Sequence, residues 1–493
     1  MEKTNFILSV DQSTSGTKAI LFDTAGQLVD RCDRAHRQIV NELGWVEHDG
    51  EEIYRNLIGA VGDLLSKTGV SPSQVVAAGI SNQRETGIMW ERGGRPLYNA
   101  VVWQCARGAA LCDELERRGA AETVKAKTGL RLSPYFTAAK FGWLMQNVPE
   151  VRGAAQRGAL MAGTIDAWLV YRLTGNHCTD YSNASRTQLF NIHTLQWDAE
   201  LCEMFGVPLS ALPRVCDSNA EFGISTFEGL FPQGIPIRCV MGDSHAALFA
   251  QGCTEPGLGK ATYGTGSSVM INVGRTPVSS DSLVTSLAWG MDGQVDYVLE
   301  GNINYTGAVI NWLRDDIHLI DDAAEVEPFA QSVEDNGGVY LVPAFSGLGA
   351  PYWNSRAQAM FCGMTRKTKK AHLIRAAEEC IAYQITDVVR QAQQAGVALR
   401  ELRTDGGPTR DAFLMQFQAD QLGIPVQASR TQELSGAGVA FGAGLAAGMY
   451  TPELLAAGRS AKEYLPLQSP QTAVWYAGWQ RAVRAALAFA GES

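Results

Sequence analysis

One short pattern occurs twice in this chain, and it constrains the fold more than any other feature. The apolar run Ile7–Val10 enters a turn, Asp11-Gln12-Ser13-Thr14-Ser15-Gly16-Thr17-Lys18, and a second run leaves it at Ala19–Asp23. In the second half Lys260–Tyr263 enters Gly264-Thr265-Gly266-Ser267-Ser268, and Val269–Val273 leads away. A strand–turn–strand of this kind sets backbone amides and hydroxyls at a sheet end, where they can form an anion nest. An ordinary polar hairpin has a similar composition; the recurrence favours the phosphate site. Two copies predict two related domains facing one cleft.

Length agrees. At 493 residues the chain exceeds what one core holds, so two domains of roughly 200–250 residues are expected. We divide it into residues 1–248 and 249–493, near the punctuation of Gly252 and Pro256-Gly257. Between the hairpins the periodicity alternates. Ile53, Leu57, Val61 and Leu64 have helical spacing over 51–66, and Val75–Ile80 reads as a buried strand. A helix is expected over 372–395, closed by Gly396, and the Gly/Ala-rich stretch 436–450 reads as a close-packed interior helix. Strands alternating with amphipathic helices indicate an α/β fold with a covered sheet. In such sheets ligands gather beyond the carboxyl ends of the strands.

The formal net charge of -10 disfavours a nucleic-acid or anionic-membrane binder. No stretch is long and apolar enough to read as a membrane span, and no secretory signal is evident at the start. The ten cysteines form no CxxC pair. They read as reduced, mostly buried thiols of a cytoplasmic protein, with Cys105 and Cys112 as a remote redox pair.

Neither GxxxxGKS/T nor GxGxxG occurs, so the two commonest nucleotide loops lose their support. The hairpin turn remains. Ser13, Thr14, Ser15 and Thr17 offer hydroxyls, Gly16 permits unusual backbone angles, and Lys18 adds charge. Asp243 follows the apolar run Ile237–Met241 through Gly242, with a helix expected over 246–251. A carboxylate there can accept a proton from an attacking hydroxyl; a helix N-cap is the plainer alternative. Asp11 has the same duality between metal and phosphate chemistry and turn capping. Arg84 and Glu85 pair a donor-only group with an acceptor-only group, which suits a polyol and equally suits a structural salt bridge. Trp103 and Tyr135 are candidate apolar walls. His245 stays open between pocket, core and surface.

Longer segments carry a resemblance. Asn82-Gln83-Arg84-Glu85-Thr86, Val102-Trp103-Gln104-Cys105, Asn183-Ala184-Ser185-Arg186-Thr187, Tyr263-Gly264-Thr265-Gly266 and Phe413-Leu414-Met415-Gln416-Phe417-Gln418 resemble, in order, segments of the FGGY carbohydrate kinase family. So does Val342–Trp353, and nearly the whole chain is covered. The chain is most similar to the glycerol kinase branch. The resemblance implies two actin-like (ribonuclease H-like) ATPase domains around a central cleft that holds ATP and substrate. It implies Asp243 as catalytic base, and Asp11 and Asp243 at Mg²⁺. Ser13, Thr14, Ser15, Lys18, Thr265, Gly307, Asn311, Gly406 and Gly407 would lie at ATP. Arg84, Glu85, Trp103, Tyr135, Ser244 and Ser268 would join Asp243 in the polyol site. A homo-oligomer, dimer or tetramer, is expected.

Three positions depart from that branch. Gly242-Asp243-Ser244-His245 stands where Gly-Asp-Gln-Gln is usual, Ser268 where a phenylalanine packs on glycerol's carbons, and Pro408-Thr409-Arg410-Asp411 where an Asn-containing stretch follows Asp-Gly-Gly. The first two remove bulk and add hydroxyls. The expectation is therefore a kinase for the terminal hydroxyl of a small linear polyol or ketose, with a four-carbon acceptor such as erythritol, threitol or erythrulose in view and glycerol itself as the alternative. An actin- or Hsp70-like ATPase working on a protein partner competes, but leaves Arg84, Glu85, Trp103 and Tyr135 without a task.

Overall fold

A computed structural model describes residues 5–457 and 461–491. The N-terminal strand β1 (Phe6–Gln12) is buried along its whole length, as a strand covered on both faces must be. It pairs antiparallel with β2 (Gly16–Phe22), which pairs antiparallel with β3 (Leu28–Ala35). Helix α1 (Gly50–Thr68) follows, capped by Asp49, whose side chain accepts from the Glu51 amide, and ended by Gly69 at φ 66°. Its buried stripe of Ile53, Leu57, Val61 and Leu64 is the one expected from spacing. Strand β4 (Val75–Asn82) returns parallel to β1, the short β5 (Gly223–Ser225) forms the far edge, and β6 (Ile235–Gly242) runs parallel to β4.

Helix α2 (Asp243–Ala250) starts directly from β6, and the division expected at 248/249 falls in its last turn. The second sheet begins with β7 (Leu258–Tyr263) and β8 (Ser267–Gly274), adds β9 (Val284–Met291) and β10 (Gln294–Ile303), and then, past helices α3 (Gly307–Asp315) and α4 (Lys370–Gln394), gains β11 (Glu401–Gly406) and β12 (Val426–Ser429). Helix α5 (Leu434–Ala446) precedes the last edge strand, β13 (Ala461–Tyr464).

The strand orders are β5-β6-β4-β1-β2-β3 and β9-β10-β8-β7-β11-β12-β13. Each sheet contains the same five-strand unit: a meander of three antiparallel strands whose first member is extended by two parallel ones. The two expected hairpins are the first turns of these units.

Parallel pairing brings the chemistry to one edge of each sheet. Asp11 lies opposite Ser81, and Gly242 opposite Asn82. In the second sheet Thr262 lies opposite Asp405 and Tyr263 opposite Gly406. A smaller five-stranded sheet between β2 and β6 in sequence carries Arg84 and Glu85 just before its strand Gly87–Glu91 and Trp103 just after Ala100–Val101.

The Gly/Ala-rich stretch is α5, a buried helix lying on the first sheet although it comes late in the chain. Its glycines admit that approach. A Cβ on Gly438 would sit 1.9 Å from the Ala246 carbonyl oxygen of α2, and one on Gly79 of β4 would sit 2.4 Å from the Val439 carbonyl. Among the described residues no helix is long and apolar enough to cross a membrane.

Candidate active site

A cleft of about 1440 Å³ separates the two sheet edges. Asp11, Lys18, Trp103, Tyr135, Asp243 and Ser244 line it from the first half, and Thr265, Ser268, Gly406 and Gly407 from the second. Gly307 and Asn311 line an adjoining cavity of about 660 Å³ that shares Thr265 and Gly407 with the cleft. Ser13, Thr14, Ser15, Arg84 and Glu85 are not among the residues lining either space.

The first turn is closed by the Ser13 amide donating to the Gly16 carbonyl at 2.8 Å. Thr14 Oγ1 accepts from Trp103 Nε1 at 2.9 Å, which ties the phosphate-type turn to an acceptor-side aromatic. Trp103 meets Tyr135 edge-on at 5.6 Å between ring centroids. Lys140, fully buried at the start of its helix, donates to the carbonyls of Pro134 at 2.8 Å, Tyr135 and Phe136, and so fixes the segment bearing Tyr135. Lys18 Nζ lies 2.6 Å from Glu433 Oε2, across from the second half. In the second turn the Gly264 amide donates to the Gly266 carbonyl, and the Thr265 carbonyl accepts from the amides of Thr306 and Ala308.

Asp243 is the first residue of α2; Gly242 takes the N-cap position. One oxygen, Oδ1, accepts from the Ser244 amide at 2.6 Å and lies 3.5 Å from Arg84 Nε. The side chain is 34 % exposed to the cleft, so its other oxygen is available to a ligand. Asp11 is buried and accepts from Ser81 Oγ at 2.6 Å. Burial raises its pKa; the Ser81 hydrogen bond and Lys18 oppose the shift, and Asp243 adds to it.

Arg84 and Glu85 do not pair with each other. Arg84 makes a bidentate pair with Glu300 of β10, at 3.0 and 2.8 Å. Arg186 bridges Glu300 at 2.8 Å and Glu85 at 2.6 Å. Burial alone would lower Arg84, but Glu300, Glu85 and Asp243 outweigh it and hold the guanidinium well above its ordinary value. Glu300 pays desolvation too, yet Arg186 and Arg84 hold its carboxyl below the usual range. Ser268 Oγ donates to Glu300 Oε1 at 3.2 Å. His245 is wholly buried, with neither ring nitrogen hydrogen-bonded. Burial and then Arg84 push its pKa well down, so it is a neutral core residue and no base.

Residues 6–250 match the N-terminal domain of the FGGY family of carbohydrate kinases, and residues 259–447 match its C-terminal domain. The chain belongs to that family. It is 47% identical over 486 residues to a glycerol kinase of Carboxydothermus hydrogenoformans, covering 97% of each protein. It is 47% identical over 487 residues to glycerol kinase 1 of Thermotoga maritima, covering 97% of this chain and 99% of that one. The structure superposes on the glycerol kinase of Plasmodium falciparum with ADP at a TM-score of 0.93, with 35% identity and 98% of each chain covered. The fold is thus that of an FGGY kinase, two actin-like domains around the cleft, and the enzyme is an ATP-dependent carbohydrate kinase.

Reasoning from sequence did not assign roles to Glu300, Arg186, Lys260, Asn302, Asn304 or Glu433, all of which line the cleft or tie its walls together. A signal existed for Glu300: a lone carboxylate directly after the apolar run Tyr297-Val298-Leu299, within one strand. The cysteines are free, Cys105 and Cys112 included.

Proposed function

We propose that this kinase transfers the γ-phosphoryl group of ATP to a terminal hydroxyl of a small linear polyol or ketose, with a four-carbon acceptor preferred. The observation that carries it is the placement of Asp243, open to the cleft between Trp103 and Tyr135 on one side and the second phosphate-type turn on the other. Phosphoryl transfer proceeds through a loose transition state, so positioning and charge neutralisation dominate. Asp243 orients the acceptor hydroxyl and takes its proton late in the step. Its Oδ1 is already occupied by the Ser244 amide, which aims Oδ2 at the acceptor. Arg84, held by Glu300, fixes Asp243 from behind. The two glycine-containing turns hold the phosphate chain, with Lys18 beside the first.

The residues fit a divalent ion held the way magnesium usually is, by one or two carboxylates together with phosphate oxygens and water. Asp11 and Asp243 would hold it, and no group of three or more potential ligating side chains occurs among the described residues. Such an ion neutralises charge on the transferring phosphates.

The preference for four carbons rests on Ser244 and Ser268, with Asn302 beside them on the cleft wall. Small hydroxyl-bearing side chains leave space and hydrogen-bonding capacity that three carbons do not use. Glycerol is the second reading, and the relatives named above as glycerol kinases favour it. We also assign the enzyme to the cytoplasm, where its free thiols persist. An ATP-consumption screen decides the acceptor. We expect kcat/KM for erythritol, a threitol or erythrulose to exceed that for glycerol by about tenfold or more, within the range that one pocket-filling group supplies. A tenfold advantage for glycerol would reverse the assignment, and turnover independent of any polyol would overturn the kinase reading.

A further inference from the structure

The second cavity contains a group that the phosphoryl transfer does not use. It opens off the main cleft at Thr265, Gly407 and Arg410, which line both spaces. Its walls are largely apolar, with Ile310, Val326, Ile381 and Leu414 among them. At about 660 Å³ it has the size of a small-ligand site. An apolar slot leading away from a phosphate-type turn is where the base of a nucleotide would lie.

Into this slot projects Glu378 of α4, which is 1% exposed. Neither of its carboxyl oxygens receives a hydrogen bond from any donor around it. Beside it stands another carboxyl, Asp411, which lines the same cavity and accepts from the Leu414 amide at 2.9 Å. A buried carboxyl without a donor is costly. A donor on a ligand in the cavity would satisfy the oxygens that the protein leaves unpaired.

We propose that Glu378, paired with Asp411, reads the nucleobase and selects a purine that carries an amino group. Two facing carboxyls cannot both ionise at close range, and one proton held between them relieves the repulsion. Burial, then Asp411, pushes the Glu378 carboxyl well above its ordinary value, which agrees with the shared proton. With that proton lying between the two groups, the oxygens left facing the cavity act as acceptors. They match the N–H of a purine amino group. A 6-oxo purine without a 2-amino group offers only its ring N–H, and sets O6 against a carboxyl oxygen. The inference rests on the kinase reading for the presence of a nucleotide, and goes beyond it in naming what recognises the base.

The test compares ATP, GTP and ITP as phosphoryl donors for the full-length enzyme, and ADP, GDP and IDP by titration calorimetry without acceptor. ITP lacks both amino groups, so it is the control for either purine; ATP against GTP then tells a 6-amino from a 2-amino contact. We expect the preferred amino-bearing nucleotide to exceed ITP about tenfold or more in kcat/KM, the worth of one good hydrogen bond in a buried site. Glu378→Leu should bring that ratio close to one, with the loss in nucleotide KM. Glu378→Gln should preserve it, because the amide can donate to Asp411 and still offer its carbonyl to the base. Equal use of ITP by the wild type would overturn the proposal, as would an unchanged ratio in Glu378→Leu. If Glu378→Leu fails to fold, the wild-type ratio and Glu378→Gln still decide, a collapsed ratio in the latter counting against it. Diphosphate binding with no acceptor-dependent turnover would sink the kinase reading alone.

Discussion

Asp243 has two oxygens in different circumstances, and that difference is its chemistry. One is held by a backbone amide and faces a guanidinium; the other meets the cleft. Replacement by alanine should remove the proposed proton acceptor and leave β6, α2 and the nucleotide side intact. We expect Asp243→Ala to lose about 10²–10⁴-fold in turnover with ADP affinity nearly unchanged, as measured by steady-state kinetics and calorimetry. Near-normal turnover in a folded variant would remove Asp243 from its role. This residue was legible in the sequence because a carboxylate after an apolar run and a glycine marks a strand end. Glu300 was not, because its meaning lies in its partners. Arg84 is 216 positions away from it, and no periodicity or local motif reports a bidentate contact across two sheets.

At the scale of elements, the central strands and their turns could be read because each is a local event. The run Ile7–Val10 became β1, and the helix expected over 372–395 became α4, Lys370–Gln394. The third sheet could not be read, since its strands are two to five residues long and carry too few side chains for a period of two to declare itself. The docking of α5 on the first sheet was equally hidden: glycine admits a close approach without naming the surface approached. Behind β6 lies a further element-level device. The Ser182 hydroxyl accepts from the Gly242 amide at 2.9 Å and donates to Asp180 at 3.0 Å. Asp166, at the start of helix Ile165–Thr174, accepts from Thr179 Oγ1 at 2.6 Å next to that network. Burial, and then the charge of Asp180, pushes Asp166 up to about 7. Between pH 3.8 and about 7 the folded protein therefore keeps a proton that the unfolded chain has lost. Stability linked to this group falls as pH rises through that window and is fully lost above it. Asp166→Asn does not titrate, so relative to wild type it should gain on the order of 2–4 kcal/mol between pH 4 and pH 8. Urea unfolding at the two pH values measures this, and a pH-independent difference would contradict it.

At the scale of the whole molecule, ionic ties of two kinds join the halves across the cleft. On the acceptor side Arg84 and Arg186 reach Glu300 in the other half with all three side chains nearly or wholly buried. Breaking such a tie leaves an uncompensated charge and costs about 3–5 kcal/mol, so this side behaves as a fixed pivot. On the side proposed for the nucleotide, Glu433 holds both Lys18 and Arg31, whose side chains are 30% and 43% exposed, so water reaches both cations and this tie is the weaker one. A phosphate beside Lys18 would compete with Glu433 for its ammonium, so nucleotide binding should loosen this tie at the more yielding end of the cleft. Because the phosphate-type turns come from both halves, a bound triphosphate draws them together and excludes water from the group in transfer. A closed monomer of this length has a radius of gyration of about 23 Å; in an oligomer the value is larger throughout and the contraction is read from the same assembly with and without ligands. Small-angle scattering should show the ligand-free enzyme above that value and a contraction toward it when a non-hydrolysable ATP analogue and the acceptor are both saturating, with the acceptor alone producing little. A profile that stays constant across all these conditions would mean that the two halves do not move, and that Lys18 trades partners within a rigid cleft.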